Sequence, residues 1–346
     1  MTTSSVDKLK TWFLQNKRTF PWRESPTPYA VWVSEVMLQQ TRASVVVSYF
    51  NKWMDRFPDL SSLSSASLDD IFKVWEGLGY YSRARNLQKG AIQIKSLGGK
   101  VPSSLEGLLD ISGIGPYTAG AILSFAFHQK AVAIDGNVER VVSRYRSIEG
   151  DLKTGKSKKI LKEQTLELLP ENEPWVIMEG LIELGATYCL PKNPQCQKCP
   201  LNDTCIAHLE GTVDLIPFKK KREETIFLDM QVLILFFGEE VLIQKKEEGK
   251  VLGGLVEFPS LPYSSGSDIE DEVQKLLGLD SVFQEDLPLQ NQSFTKYRLE
   301  LYPSILQVRE KKEVPGFTWH LFDDLETNLT FSSGHKRILK LLQSLV

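Results

Sequence analysis

Apolar residues change their spacing once in this chain, near residue 227, and that change limits the fold more than any other feature. Before it, apolar residues recur every three or four positions, and no stretch up to Tyr188 alternates as a strand does. The spacing predicts helices over residues 6–17, 29–49, 63–75, 105–110, 116 to about 127, 156–169 and 175–188. After it, residues 230–237 and 241–245 flank Gly238-Glu239-Glu240 as a hairpin, and 253–259 ends in a strand. Residues 269–277 read as a helix, 297–308 and 317–321 as strands, and 334–345 as a closing helix. The expected fold is therefore multidomain. An all-α domain covers residues 1–210, a linker 211–227, and a smaller α+β domain 228–346. A length of 346 residues agrees, being too long for one average domain.

Four cysteines, all between Cys189 and Cys205, spell Cys-x6-Cys-x2-Cys-x5-Cys. The first ten residues are polar and hold no apolar signal core, and no apolar run reaches transmembrane length. The expectation is a soluble, cytoplasmic protein with no membrane partner. A tight thiol cluster in such a chain reads as a metal site rather than as disulfides. Zinc and an iron–sulfur cluster both suit four close thiolates, and spacing does not separate them. The net charge of -3 gives no global signature of nucleic-acid binding. Phosphate contacts must come from a local face, such as the run Lys219-Lys220-Lys221-Arg222, or from backbone N–H groups.

One such source is Ile111-Ser112-Gly113-Ile114-Gly115-Pro116. Ser103 or Ser104 caps a short helix, Gly113 and Gly115 allow a tight turn at positive φ, and Pro116 suits the start of the next helix. Free N–H groups at that helix start can meet a phosphate. Asp135-Gly136-Asn137-Val138 follows, and Glu35 stands among Val31, Val33, Val36 and Leu38. If buried there, Glu35 has a raised pKa and becomes a candidate general acid at neutral pH. The loop Gly77-Leu78-Gly79-Tyr80-Tyr81-Ser82-Arg83 offers tyrosines for stacking on bases and arginines for phosphates.

Taken together, these pieces resemble the helix–hairpin–helix base-excision glycosylases, specifically the adenine DNA glycosylase family. The matching segments are Phe20-Pro21-Trp22-Arg23, Ser34-Glu35-Val36-Met37-Leu38-Gln39-Gln40-Thr41, Gly77-Leu78-Gly79-Tyr80-Tyr81, the Gly113–Gly115 turn, Asp135-Gly136-Asn137-Val138 and the cysteines. Their order and spacing carry the resemblance over nearly the whole chain. It implies a 4Fe–4S cluster on Cys189, Cys196, Cys199 and Cys205. It also implies excision of adenine mispaired with 8-oxoguanine or guanine in duplex DNA, as a monomer near the bacterial nucleoid.

By this resemblance Glu35 is the general acid, and Asp135 stabilises the sugar cation or adds to it. Tyr117 supports that site, and Asn137 hydrogen-bonds a carboxylate or the sugar backbone. Trp22, Arg23 and Glu179 line the adenine pocket, while Gln40, Leu78, Gly79 and Tyr80 insert at the mispair. Gly113 and Gly115 bind the DNA backbone. A lysine at position 117 would make a strand-cleaving lyase like endonuclease III, the competing reading; tyrosine has no amine for that reaction. The C-terminal part resembles a Nudix-like domain through Gly254-Leu255-Val256-Glu257-Phe258-Pro259. Asp268-Ile269-Glu270-Asp271-Glu272 departs from the hydrolase box, so the domain reads as lesion recognition. Phe294 and Thr295 match the loop that meets 8-oxoguanine, whereas Lys296 replaces an aromatic heterocycle there.

Overall fold

In a computed structural model the described residues are 4–152, 154–218, 224–247, 252–294 and 296–345. They form two compact units, Met1–Ala66 with Arg85–Lys221, and Ser67–Ala84 with Arg222–Val346.

The first unit is helical, with no strand among its described residues. Several helices start where a polar side chain holds their free N–H groups, while Pro21–Glu24, Pro116–Ala121 and Pro174–Thr187 begin on a proline instead. Ser4 and Asp7 make a reciprocal capping box on Ser5–Asn16, and Thr27 accepts from Ala30 N–H just ahead of Pro28–Leu38. Three expected helices are interrupted. The stretch 29–49 divides into Pro28–Leu38 and Ala43–Arg56, because Gln40 turns the chain at φ 59°. The stretch 63–75 divides into Leu60–Ser65 and Leu68–Trp75, because Ser67 caps a new start by accepting from Asp70 N–H. The helix from Pro116 is α-helical only to Ala121 and then π-helical over Ile122–Ala126.

Helix Pro116–Ala121 packs against the loop before Asp135 with no room for a side chain at Gly120. A Cβ there would lie 1.9 Å from the Val132 carbonyl oxygen. Gly120→Ala is therefore expected to destabilise this unit by about 3 kcal/mol or more, since backbone cannot yield as a side chain can. Urea unfolding followed by tryptophan fluorescence measures this; a midpoint equal to the parent's would contradict the packing.

The second unit is built on a mixed eight-stranded sheet. Its strands are β1 Ile226–Phe237, β2 Glu240–Lys245, β3 Val256–Glu257, β4 Ser260–Pro262, β5 Ser281–Asp286, β6 Gln290–Phe294, β7 Tyr297–Val308 and β8 Thr318–Leu321. The long pair β1 and β7 runs parallel at the centre, with Val232 opposite Pro303 and Ile234 opposite Ile305. Alternate residues feed two cores. Val232, Ile234, Val241 and Ile243 pack with Ile338, Leu339 and Leu342 of the closing helix Ser333–Gln343. Leu233, Leu235 and Leu242 pack with Val273 and Leu277 of the helix Ile269–Leu277. Strands β5 and β6 lack a strong alternating signal and gain their form from pairing with β7.

Ser67–Ala84 joins this unit through lysines. Lys73 donates to the carbonyls of Glu326 and Leu329, and Lys336 pairs with Glu76 at 2.6 Å.

His335 is buried in the first of these cores, where its Nδ1 accepts the Phe258 N–H at 3.0 Å. Burial pushes its pKa down to about 4, with Glu257 pulling it back up. The unfolded chain binds this proton near pH 6.5, whereas the folded chain resists it until about pH 4. Stability is thus complete above pH 6.5 and falls as the pH drops, by about 3 kcal/mol between pH 7 and 4. Unfolding curves of the full chain should show this loss, and His335→Gln should lack it.

Candidate active site

The catalytic candidates meet in one cavity of about 770 Å³ inside the first unit, lined by Trp22, Arg23, Glu35, Tyr117, Asp135, Asn137 and Glu179 among others. Glu35 sits on the helix Pro28–Leu38, all of whose residues from Tyr29 to Met37 are buried. The side chain is therefore not on an exposed helix face; Glu35 is only 6% exposed. Its Oε2 accepts the Tyr117 hydroxyl at 2.5 Å. Burial pushes the Glu35 pKa up to about 7; the Tyr117 bond and Arg23 oppose this, while Asp135 and Glu179 add to it. Burial, with the Glu35 charge, holds the Tyr117 phenol well above its ordinary pKa, so it stays a donor.

Asp135 has a structural duty as well. It is the N-cap of the helix Gly136–Tyr145, and its Oδ1 accepts from Asn137 N–H at 2.9 Å and Val138 N–H at 2.8 Å. Oδ2 accepts from the Asn137 amide at 2.7 Å. Burial raises the Asp135 pKa, and these three donors together with Arg140 counter it. A carboxylate that accepts three N–H bonds is matched to the ionised form. Asn137 is fixed from behind by Arg140, whose Nη2 donates to Asn137 Oδ1 at 2.9 Å and to the Gly185 carbonyl at 2.6 Å. A Cβ on Gly185 would come within 2.6 Å of Asn137 Cβ, so glycine permits this approach of the helix Pro174–Thr187.

Trp22 stacks on Phe20 at 4.7 Å and forms an aromatic wall. Arg23 donates to Glu179 Oε1 at 3.2 Å and to Glu183 Oε2 at 3.0 Å, and Arg18 also binds the fully buried Glu183. Its cationic partners keep Glu183 below the usual carboxylate range despite burial, whereas burial raises Glu179. A site with one carboxyl poised near neutrality and a second that accepts three N–H bonds can donate a proton and face a developing cation.

Other expected residues lie elsewhere. Gln40 is exposed at the turn after Leu38 and does not line the cavity, although Gln39 and Thr41 do. Leu78, Gly79 and Tyr80 belong to the second unit; Leu78 is buried, while Tyr80 is 44% exposed at φ 48°. In the hairpin only Gly113 takes positive φ, at 81°; Gly115 is an extended N-cap at φ −93°, contrary to the expectation for both. Phe294 ends β6, and Thr295 lies outside the described residues, as do Lys219 to Arg222. Sequence reasoning missed His128 and Trp175, which stack at 4.1 Å and line the cavity. The positive φ of His128 has no sequence signal, since histidine does not announce a left-handed turn as glycine does.

The four cysteines, none in a disulfide, line a second, small cavity together with Arg144 and Tyr188. Arg144 Nη1 lies 3.4 Å from Cys189 Sγ, and burial pushes the Cys199 thiol up to about 12. Among the described residues, no three Cys, His, Asp or Glu side chains converge closely enough to hold one metal ion. No described helix is long and apolar enough to cross a membrane.

Comparison with known proteins agrees with this architecture. The HhH-GPD superfamily of base excision DNA repair proteins matches residues 33–171, and a NUDIX domain matches residues 231–341. Adenine DNA glycosylase of Buchnera aphidicola subsp. Baizongia pistaciae is 36% identical over 261 residues, which is 75% of this chain and 73% of that protein. The rat enzyme of the same name is 42% identical over 229 residues, 62% of this chain but 44% of that protein, so the chain spans less than half of the rat relative. Among solved structures, a thermostable thymine-DNA glycosylase superposes with a TM-score of 0.55 at 28% identity, over 59% of this chain and 95% of that one. An endonuclease III trapped on DNA shares the fold, with a TM-score of 0.52 at 22% identity, over 60% of this chain and 95% of that one. By its similarity to relatives matched over most of their length, the chain belongs to the adenine DNA glycosylase family.

Proposed function

We propose that this protein hydrolyses the N-glycosidic bond of adenine mispaired with 8-oxoguanine or guanine in duplex DNA, and leaves the strand intact. The observation that carries the reading is Glu35, a buried carboxyl with its pKa near 7, sharing one cavity with Asp135. A base inside a duplex is out of reach, so the nucleotide must be turned out into the cavity. Adenine leaves poorly unless protonated, and Glu35 is positioned to supply the proton. As the C1′–N9 bond breaks, positive charge gathers on the sugar, and the Asp135 carboxylate faces it. Glu35, now ionised, can take a proton from the water that bonds to C1′. Tyr117, held to Glu35, offers no amine for a Schiff base, which supports a glycosylase without lyase activity.

The cysteines fit a 4Fe–4S cluster. Four free thiols border one cavity and could hold it, and the resemblance to the adenine DNA glycosylase family, not their geometry, favours it over zinc. When bound, the cluster would be held by Cys189, Cys196, Cys199 and Cys205 and would brace their loop; the reaction at Glu35 needs nothing from it. In the second unit Asp268 caps the helix Ile269–Leu277 and Glu270 accepts the Phe283 N–H. These acids are occupied by backbone, which supports recognition rather than Nudix hydrolysis.

A duplex carrying adenine opposite 8-oxoguanine tests the reading. Strand breaks that appear only after alkali are expected. Breaks without alkali would mean a lyase, and none at all a DNA-binding protein. The pH dependence adds a check on Glu35. It must be protonated to act, so the excision rate should fall as the pH rises through about 7. Tyr117→Phe removes a bond that favours the ionised form, so this limb should move to higher pH. An unmoved limb would mean that the titrating group is not Glu35.

A further inference from the structure

The loop of residues 77–80 is built as a rigid projection. Arg83 Nη2 donates to the carbonyls of Leu78 at 3.0 Å and Gly79 at 3.1 Å, and Trp75 Nε1 donates to Gly79 at 3.0 Å. The Arg83 guanidinium lies 5.2 Å from the Trp75 ring and 5.6 Å from the Tyr80 ring. Gly77, Gly79 and Tyr80 take positive φ, which turns the chain sharply and leaves Tyr80 exposed. A loop bonded in this way moves as one body with the helix Leu68–Trp75 that carries it.

That helix is fastened to the rest of its unit on one face. Lys73 and Glu76, three residues apart, point the same way. Lys73 donates to the carbonyls of Glu326 and Leu329, and Glu76 pairs with Lys336 of the closing helix at 2.6 Å. Both side chains of that pair are mostly buried, Glu76 being 18% and Lys336 26% exposed. Another face of the closing helix is fastened to β6. Gln292 Oε1 accepts the Gly334 N–H at 3.2 Å and the Ser332 hydroxyl at 3.4 Å, holding the helix start in place of a local cap. Arg337 donates to the Asn291 carbonyl. A Cβ on Gly334 would strike Gln292 Oε1, so glycine permits this approach. At about 100° per residue, Lys336 points away from the face that Gly334 and Arg337 share. One helix therefore joins β6, which ends at Phe294, to the base of the projecting loop.

We propose that Glu76 and Lys336 are positioning residues that couple reading of the base opposite adenine to insertion of the loop into the base stack. The inference deepens the proposed function and rests on it, with Phe294 as part of the lesion reader and Tyr80 on the inserted loop. Opening a base step costs energy, which contacts elsewhere on the same rigid body must offset. With reader and loop on one body, contacts made to 8-oxoguanine stabilise the opened stack. Without the ion pair the loop meets the stack unsupported. Guanine, which lacks the lesion's contacts, has less to transmit.

Single-turnover excision from duplexes with adenine opposite 8-oxoguanine or opposite guanine tests this, with enzyme in excess over DNA but below saturation. Lys336→Met keeps the apolar stem and removes the charge. Its preference for 8-oxoguanine should fall about fivefold while excision opposite guanine stays within about twofold of the parent, a coupling change of ordinary size. Glu76→Gln breaks the same pair from the other side and should give the same loss. Joining Glu76→Lys to Lys336→Glu should restore most of the preference, which a loss of packing alone would not allow. The fluorescence of 2-aminopurine beside the mispair, which reports unstacking, should fall in the single variants on the 8-oxoguanine duplex only. An unchanged preference, or an equal fall on both duplexes, overturns the coupling. A parent without preference for 8-oxoguanine overturns it too, since nothing is there to transmit. Excision from neither duplex by the parent overturns instead the reading of adenine as the excised base.

Discussion

Glu35→Gln is expected to lower single-turnover excision by ~100-fold or more while mispair binding stays within a few-fold of the parent. Glutamine keeps the shape of the side chain, and its Oε1 can still accept the Tyr117 hydroxyl. What it lacks is a proton that can be given up near pH 7. Removing a buried acid also leaves the packing of the helix Pro28–Leu38 intact, since its neighbours from Tyr29 to Met37 are buried apolar or small residues with their own contacts. Excision kinetics and a binding isotherm on the same duplex separate the two effects. A variant that excises within a few-fold of the parent would remove Glu35 from the mechanism, and loss of binding in parallel with rate would make it a structural residue.

Cys199→Ser should produce the second large effect. Purified parent protein is expected to be yellow-brown and to contain iron, and the variant to be pale and iron-poor. The segment from Cys189 to Cys205 is anchored at its start, where Arg140 donates to the Cys189 carbonyl at 2.6 Å and Arg144 to the Leu190 carbonyl at 2.8 Å. Its far end is tied to the first helix by Lys8 with Asp203 and by Ser5 with Thr204, and the cysteines close the loop between the two ends. Losing a closure of this loop length costs ~3 kcal/mol, which for a unit of this size lowers the melting temperature by about 10 °C. Iron analysis and a melting curve check both statements. A colourless, zinc-containing parent with full activity would remove the iron–sulfur assignment.

Much of the fold was legible because periodicity responds to burial. The change from helical spacing to alternation near residue 227 matches the start of β1 at Ile226, and the helix Ile269–Leu277 falls where its apolar period lies. What periodicity misses is where a chain turns without changing composition. Gln40 bends the chain inside an apolar run, and Ser67 restarts a helix that the spacing alone would continue. The attachment of Ser67–Ala84 to the second unit depends on Lys73 reaching the carbonyls of residues far along the chain, which no local pattern encodes. At the site, residue type and order brought out Glu35, Tyr117, Asp135 and Asn137, and the structure sets them in one cavity. His128 and Trp175 stayed silent, because a histidine and a tryptophan separated by a helix reveal neither a stack nor a left-handed backbone until the chain is folded.

Asp135 lines the cavity beside Glu35 and also caps the helix Gly136–Tyr145. Chemistry alone would accept either acidic residue at this position, since a glutamate carries the same charge. The helix start would not. Aspartate reaches the N–H groups of Asn137 and Val138 because its chain is short, and a longer acid caps poorly. The conservative exchange open to most surface carboxylates is thus closed here, because glutamate keeps the charge and gives up the cap. Asparagine is the informative exception: it keeps the cap and discards the charge, so Asp135→Asn can report on the reaction without unravelling the helix that presents it.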